Sequence, residues 1–254
     1  GLSSVLVPPV ANVMIRNWGV SAAFQIIAVC FAVVLLLASA FVEQGPEEAG
    51  QMLPGGGRDM GWREMLCQKK FYGMCAMLLC GGLSGMMVIS SASDMAQVEA
   101  GFSPAAAALM VSVLSLFNAG GRASAGILSD KLGRIGTLSL VFPISVAALC
   151  ALFFFGQDSM AVFAVSIALV GACFGALMGI FPGFTADEFG QRNNTVNYGI
   201  LFFGFALSGM LGPQVASWVM SGTGSYRSAF LIAAVVALAG FALTFLHRRL
   251  AARS

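Results

Sequence analysis

Charged residues are spaced far apart along this chain, and almost everything between them is apolar. There are 26 uncharged residues between Arg16 and Glu43, 23 between Lys70 and Asp94, and 22 between Glu99 and Arg122. The series continues with 23 between Arg134 and Asp158, 28 between Asp158 and Asp187, 34 between Arg192 and Arg227, and 19 up to His247. A hydrocarbon core about 30 Å thick is crossed by roughly 20 helical residues, so each interval holds one span. The pattern predicts helices over 20–42, 71–94, 104–128, 135–156, 159–185, 196–220 and 227–247, with a partial helix over 1–14 that is too short to span. That stretch is read as the remainder of a longer helix. The expected fold class is an all-α polytopic membrane protein.

The longest connection, Glu43 to Lys70, contains Gly-Pro, Pro-Gly-Gly-Gly and mixed charge, which marks a flexible linker between two helices and six. Near its end Trp62, Met65 and Leu66 recur at helical spacing beside Arg63 and Lys69. That pattern suits either a short helix at the membrane surface or an ordered loop end. Gly171, Gly175, Gly179 and Gly183 form one small-residue stripe, and Gly204, Ser208 and Gly212 another. Such stripes let helix backbones approach closely and are expected to be packing seams. Pro143, Pro182 and Pro213 each remove a backbone donor in or near a span.

Composition agrees: 58% of the residues are hydrophobic and 9% charged, far below the roughly 25% charged of a soluble domain. With the loops numbered alternately, ten basic residues (Arg58, Arg63, Lys69, Lys70, Lys131, Arg134, Arg192, Arg248, Arg249 and Arg253) fall on one side. Arg16 and Arg227 fall on the other. Positive charge accumulates on the cytoplasmic side, so the linker and the C-terminus are expected there, in a multi-pass protein of the plasma (cell inner) membrane. The scattered basic residues form no nucleic-acid patch. The six cysteines show no CxxC spacing, and the one histidine, His247, stands beside Arg248 and Arg249, where a cation suits the helix C-terminus and the headgroups. With no nucleotide loop, HExxH or nucleophile-and-base set, neither an enzyme, a cofactor nor a metal is expected.

The segment Gly126-Ile-Leu-Ser-Asp130-Lys131-Leu-Gly133-Arg134 is a short hydrophilic turn between two spans. Gly133 permits the tight turn, Asp130 can face a neighbouring helix N-terminus, and Lys131 and Arg134 hold the loop in the cytoplasm. It resembles the cytoplasmic loop motif of the major facilitator superfamily, in the copy between the eighth and ninth of twelve helices. Leu116-Phe-Asn118-Ala-Gly-Gly-Arg122, Asp187-Glu-Phe-Gly190, Asn197-Tyr198-Gly199, and Glu64-Met-Leu66 with Phe71-Tyr72 narrow the match to its oxalate/formate antiporter branch, which is monocarboxylate transporter-like. The resemblance implies a partial facilitator fold. Residues 1–42 would be the last helices of the N-terminal bundle, 43–70 a cytoplasmic linker, and 71–254 a complete six-helix C-terminal bundle and tail. The remaining N-terminal helices of a full-length protein are implied partners, together with the bilayer.

Arg122 is the one basic residue inside a span, and an ionisable group in the bilayer costs at least about 2.5 kcal/mol on insertion scales. It either binds an anion in a central cavity or snorkels towards the cytoplasm. In the resembling family an arginine at this motif position binds the substrate carboxylate. Where the family's oxalate carrier has a second cation, this chain has Phe205. A dianion would leave one charge unpaired, whereas a monocarboxylate is matched by Arg122 alone. Further cavity candidates are Asn118, on the face of Arg122 at i+4, with Tyr198, Phe202 and Phe205. Each has a plain packing role as its alternative. Asp94 and Glu99 are read as solvated loop charges. The implied function is secondary transport of a small organic anion by alternating access. A monocarboxylate of the formate, lactate or pyruvate type is expected before oxalate, with a proton or a counter-anion as the coupled species. The alternative is a non-transporting membrane protein or inactive fragment.

Overall fold

The computed structural model describes residues 3–40 and 59–251. Two compact units emerge, residues 2–56 and 57–254. In the first, α1 runs Ser3–Ala40 and is interrupted at Gly19, whose φ of 80° only glycine adopts cheaply. Residues Asn17–Ser39 are long and apolar enough to cross a membrane. The interruption separates the two helices expected there. The glycine- and proline-rich part of the predicted linker, up to residue 58, lies outside the described residues, as do 252–254 of the tail.

The second unit contains a short helix α2 (Trp62–Leu66), then α3 (Lys69–Ile89), α4 (Ala92–Ala100), α5 (Pro104–Leu132), α6 (Arg134–Phe155), α7 (Met160–Phe189), α8 (Asn194–Leu201), α9 (Phe203–Thr223) and α10 (Arg227–Ala251). Each predicted span has its helix. The expected 71–94 helix divides, however, because α3 ends at Ile89 and the chain turns into the separate α4. The expected 196–220 helix is α8 and α9, joined at Phe202 with the ladder intact through Phe202 N–H to Tyr198 O at 2.8 Å. Local signals set the ends. Ser103 caps α5 through Ala106 N–H with Pro104 in its first turn, Ser159 caps α7 through Val162 N–H, and Gly101 and Gly224 close α4 and α9 in the left-handed conformation.

The spans form two consecutive triplets, α3–α5–α6 and α7–α8/α9–α10. The packing is unchanged when the triplets are exchanged. The first helix of each lies on the second of the other (α3 on α9, α7 on α5), the third of each lies on the first of the other (α10 on α3, α6 on α7), and the thirds pack together. This is the pattern of a structural repeat. Both small-residue stripes are seams between the triplets. A Cβ on Gly175 would lie 1.9 Å from Asn118 O and one on Gly179 2.8 Å from Arg122 O, while Gly204 and Gly212 face Cys75 and Met86 of α3. Large apolar side chains such as Leu109, Val165, Trp218 and Val235 point outward, as lipid requires. Residues 59–68, the end of the predicted linker, pack onto this unit. Met60 N–H donates to Phe189 O at 2.9 Å, and Met65 is fully buried while Trp62 of the same short helix is exposed.

Candidate functional site

The predicted site residues occupy two places. The first is the inner length of α5 and α8/α9. Arg122 is exposed on α5, with its backbone against Gly179, and its charge reaches Tyr198. From Tyr198 a row of rings continues through Phe202 (5.5 Å), Phe205 (4.6 Å) and Phe174 (5.9 Å). Phe174 was not anticipated, because nothing local distinguishes it from other apolar residues of α7. Gly85 of α3 makes room for the row, since an added Cβ atom would meet Phe174, and Gly82 makes room for Ser208 beside it. Asn118 is 7% exposed in the α5–α7 seam, and its side chain makes no hydrogen bond among the described residues. Arg122 is therefore an exposed cation on α5, while the aromatic row runs from α8 through α9 to α7.

The second place is the end of the unit that carries the α5–α6 turn, called here the motif end. Gly133 joins α5 to α6 with a φ of 76°, which puts Arg134 in the first turn of α6. Its guanidinium donates to Asp187 of α7 at 2.8 Å, to Asp130 at 3.1 Å and to Ser129, and it packs over Gly183. Asp130 is 70% exposed and pairs with Arg134 instead of a helix N-terminus. Lys131 is exposed, and Gly126 borders open space. Next to Asp187, Glu188 pairs with Lys70 at 3.3 Å and lies 3.5 Å from His247. His247 is 2% exposed and lies edge-on to Phe184, not among headgroups as expected. The reason is that α10 turns this position towards α3 and α7.

At the opposite end Glu99 corrects a second expectation. It is buried, not solvated, and it accepts hydrogen bonds from Gln157 at 2.6 Å, Ser225 at 2.9 Å and the Tyr226 N–H. It ties α4 to the α6–α7 and α9–α10 turns. Burial, then the neighbouring Asp94 and Glu99 charges, push the Tyr226 phenol up. Asp94 itself is exposed, as expected.

Two three-helix triplets and a charged turn pinned to α7 thus make up the described bundle, and the sequence that builds most of it matches a family model. Residues 1–213 fit the model described as Major Facilitator Superfamily. The chain belongs to the major facilitator superfamily. This superfamily member is 26% identical over 253 residues to the Oxalate:formate antiporter of Oxalobacter formigenes, covering 98% of the chain and 60% of that protein. It is 34% identical over 150 residues to an uncharacterized MFS-type transporter of Escherichia coli, covering 59% of the chain and 37% of that protein. Monocarboxylate transporter 12 of Xenopus laevis is 27% identical over 150 residues, covering 58% of the chain and 31% of that protein. Among solved structures, the major facilitator transporter FucP in its outward conformation superposes with a TM-score of 0.67 at 16% identity, covering 90% of the chain and 55% of FucP. The likeness to FucP concerns the fold alone. The chain spans between about a third and three-fifths of the curated relatives it matches.

Proposed function

We propose that this chain supplies the larger part of a secondary carrier for small organic monocarboxylates. Arg122 would bind the carboxylate, and the aromatic row ending at Phe205 and Phe174 would form the wall beyond it. The observation that carries this reading is the position of Arg122, a permanent, exposed cation within a span. A guanidinium grips a carboxylate through two parallel hydrogen bonds. The apolar rings offer no partner to a second negative charge. Asn118, one turn away on α5, and the Tyr198 hydroxyl supply further donors. Residues 1–42 are assigned to the other helical bundle, 43–70 to the connection, and 71–254 to the C-terminal bundle. The motif end is assigned to the cytoplasm, with Arg134, Asp130 and Gly133 controlling rearrangement of the bundle and not ligand affinity. The names of the relatives support carboxylate cargo, and a proton or counter-anion is the coupled species we assign.

Uptake of labelled formate, lactate, pyruvate and oxalate by vesicles containing the full-length protein tests the reading. Truncating one partner of a desolvated, hydrogen-bonded charge pair weakens binding by about thirty-fold or more. Arg122→Ala is therefore expected to abolish monocarboxylate uptake at normal expression, and Arg122→Lys to restore little, since an ammonium lacks the planar fork. Normal uptake by Arg122→Ala would place the site elsewhere and leave Arg122 as a snorkelling residue.

A further inference from the structure

The last turns of α7 beyond Pro182 carry two acidic side chains that tie them to neighbouring helices. Pro182 has no N–H, so the Met178 carbonyl loses its helical partner and the helix is weakened just before Gly183. Beyond it, Asp187 is tied to Arg134 of α6, and Glu188 to Lys70 of α3. One further group touches this arm and is used by nothing described so far, the His247 ring of α10. Neither ring nitrogen has a hydrogen-bond partner among the described residues, although the side chain is 1% exposed. Nδ1 faces Gly73 of α3. Nε2 is 3.5 Å from Glu188 Oε1, too long for a strong hydrogen bond. Glu188 and Phe184, which flank the ring, also line an open groove at the motif end, together with Arg134, Asp187 and Arg248. The Glu188 side chain is 20% exposed, and its carboxylate borders the ring.

We propose that His247 and Glu188 form a proton-operated latch on the arm of α7. A proton from the groove passes by way of Glu188 to Nε2, and the resulting imidazolium donates to Glu188 Oε1. A charge-assisted bond of this kind is about 0.7 Å shorter than the observed separation, so protonation draws the arm onto α10. With the imidazole neutral, Glu188 is held by Lys70 alone. The charged neighbours of the ring are few. α3 contributes Lys70, with Lys69 exposed; α7 contributes Glu188 and, turned towards Arg134, Asp187. α6 carries Arg134 as its one charge, α9 carries none, and on α10 Arg248 reaches to Ser139 with exposed Arg249 beside it. Acidification on the motif side therefore tightens the arm, and alkalinisation frees it. The latch does not depend on which anion is carried.

In ring-15N-histidine-labelled, untagged protein the His247 signal is identified as the one lost in His247→Gln. The test uses full-length protein in proteoliposomes, with a spin label at Gln191→Cys, an exposed position just past the arm, and every other exposed cysteine, Cys30 and Cys67 among them, replaced by serine. Lowering the pH from about 8 to about 5.5 is expected to convert the ring to its doubly protonated form and to slow the label in parallel. His247→Gln and Glu188→Gln should each lose the pH response of the label. Should His247→Gln fail to insert, Glu188→Gln carries the same test. Three results overturn the latch: a ring that stays neutral throughout, a label indifferent to a ring that does protonate, or a full label response in either variant.

Discussion

Replacing Gly175 by alanine puts a methyl carbon 1.9 Å from the backbone oxygen of Asn118. Ordinary contact begins at 3.4 Å, so α5 and α7 must separate by about 1.5 Å at that level. Backbone cannot swing aside as a side chain can. The neighbouring stripe positions are less crowded, falling short of the same contact distance by 0.7 Å at Gly171, against Leu114 O at 2.7 Å, and by 0.6 Å at Gly179, against Arg122 O at 2.8 Å. Overpacking generally costs about 1 to 3 kcal/mol. Gly175→Ala should reach the upper part of that range, with the other two nearer its foot. Gly126→Ala meets nothing within 4 Å and serves as the control, unchanged or slightly stabilised by alanine's better helix propensity. Because α5 carries Arg122 one turn beyond Asn118, Gly175→Ala should also reduce uptake more than expression accounts for. The assay is the temperature at which the monodisperse peak is half lost on heating in detergent, measured across the four variants. A Gly175→Ala protein as stable as wild type, or a series led by Gly126→Ala, would refute the seam as the source of the cost.

Phe205→Lys should shift competition against labelled substrate from monocarboxylates towards dicarboxylates, and an unaltered preference would remove Phe205 from the charge filter. Glu99→Ala leaves the Tyr226 N–H, Ser225 and Gln157 without their acceptor and should cost about 3 kcal/mol, read as a lowered melting temperature, whereas Glu99→Gln should retain most of the stability. At the motif end Arg134→Ala should slow transport far more than Asp130→Ala, since an exposed ion pair contributes about 0 to 1 kcal/mol while Arg134 also holds Asp187 and Ser129; equal effects would argue against the pin to α7. Gly56→Cys and Ser254→Cys should both resist an impermeant thiol reagent in intact cells, and labelling of both would reverse the proposed topology.

The spans, the sharp turn at Gly133 and the two small-residue stripes were all legible in the residues themselves. Each is written locally: a span in about twenty successive apolar side chains, a turn in one glycine between charges, and a seam in a four-residue repeat. The helix pairs that close those seams were not legible, because a stripe says that some backbone comes near without saying which. Side-chain partnerships were hidden for the same reason. Arg134 and Asp187 are 53 positions apart, and Glu99 and Ser225 are 126 apart. Adjacent in sequence, Asp187 and Glu188 look alike, yet the rotation of α7 sends one to Arg134 and the other to Lys70 and His247. Glu99 and His247 look like solvated residues at helix ends until the neighbouring turns and helices cover them. Local hydropathy reports the transfer of a segment into lipid, a property of that segment alone. Burial of a polar group and the identity of its partner depend on how the helices are rotated and paired, which the tertiary structure alone decides.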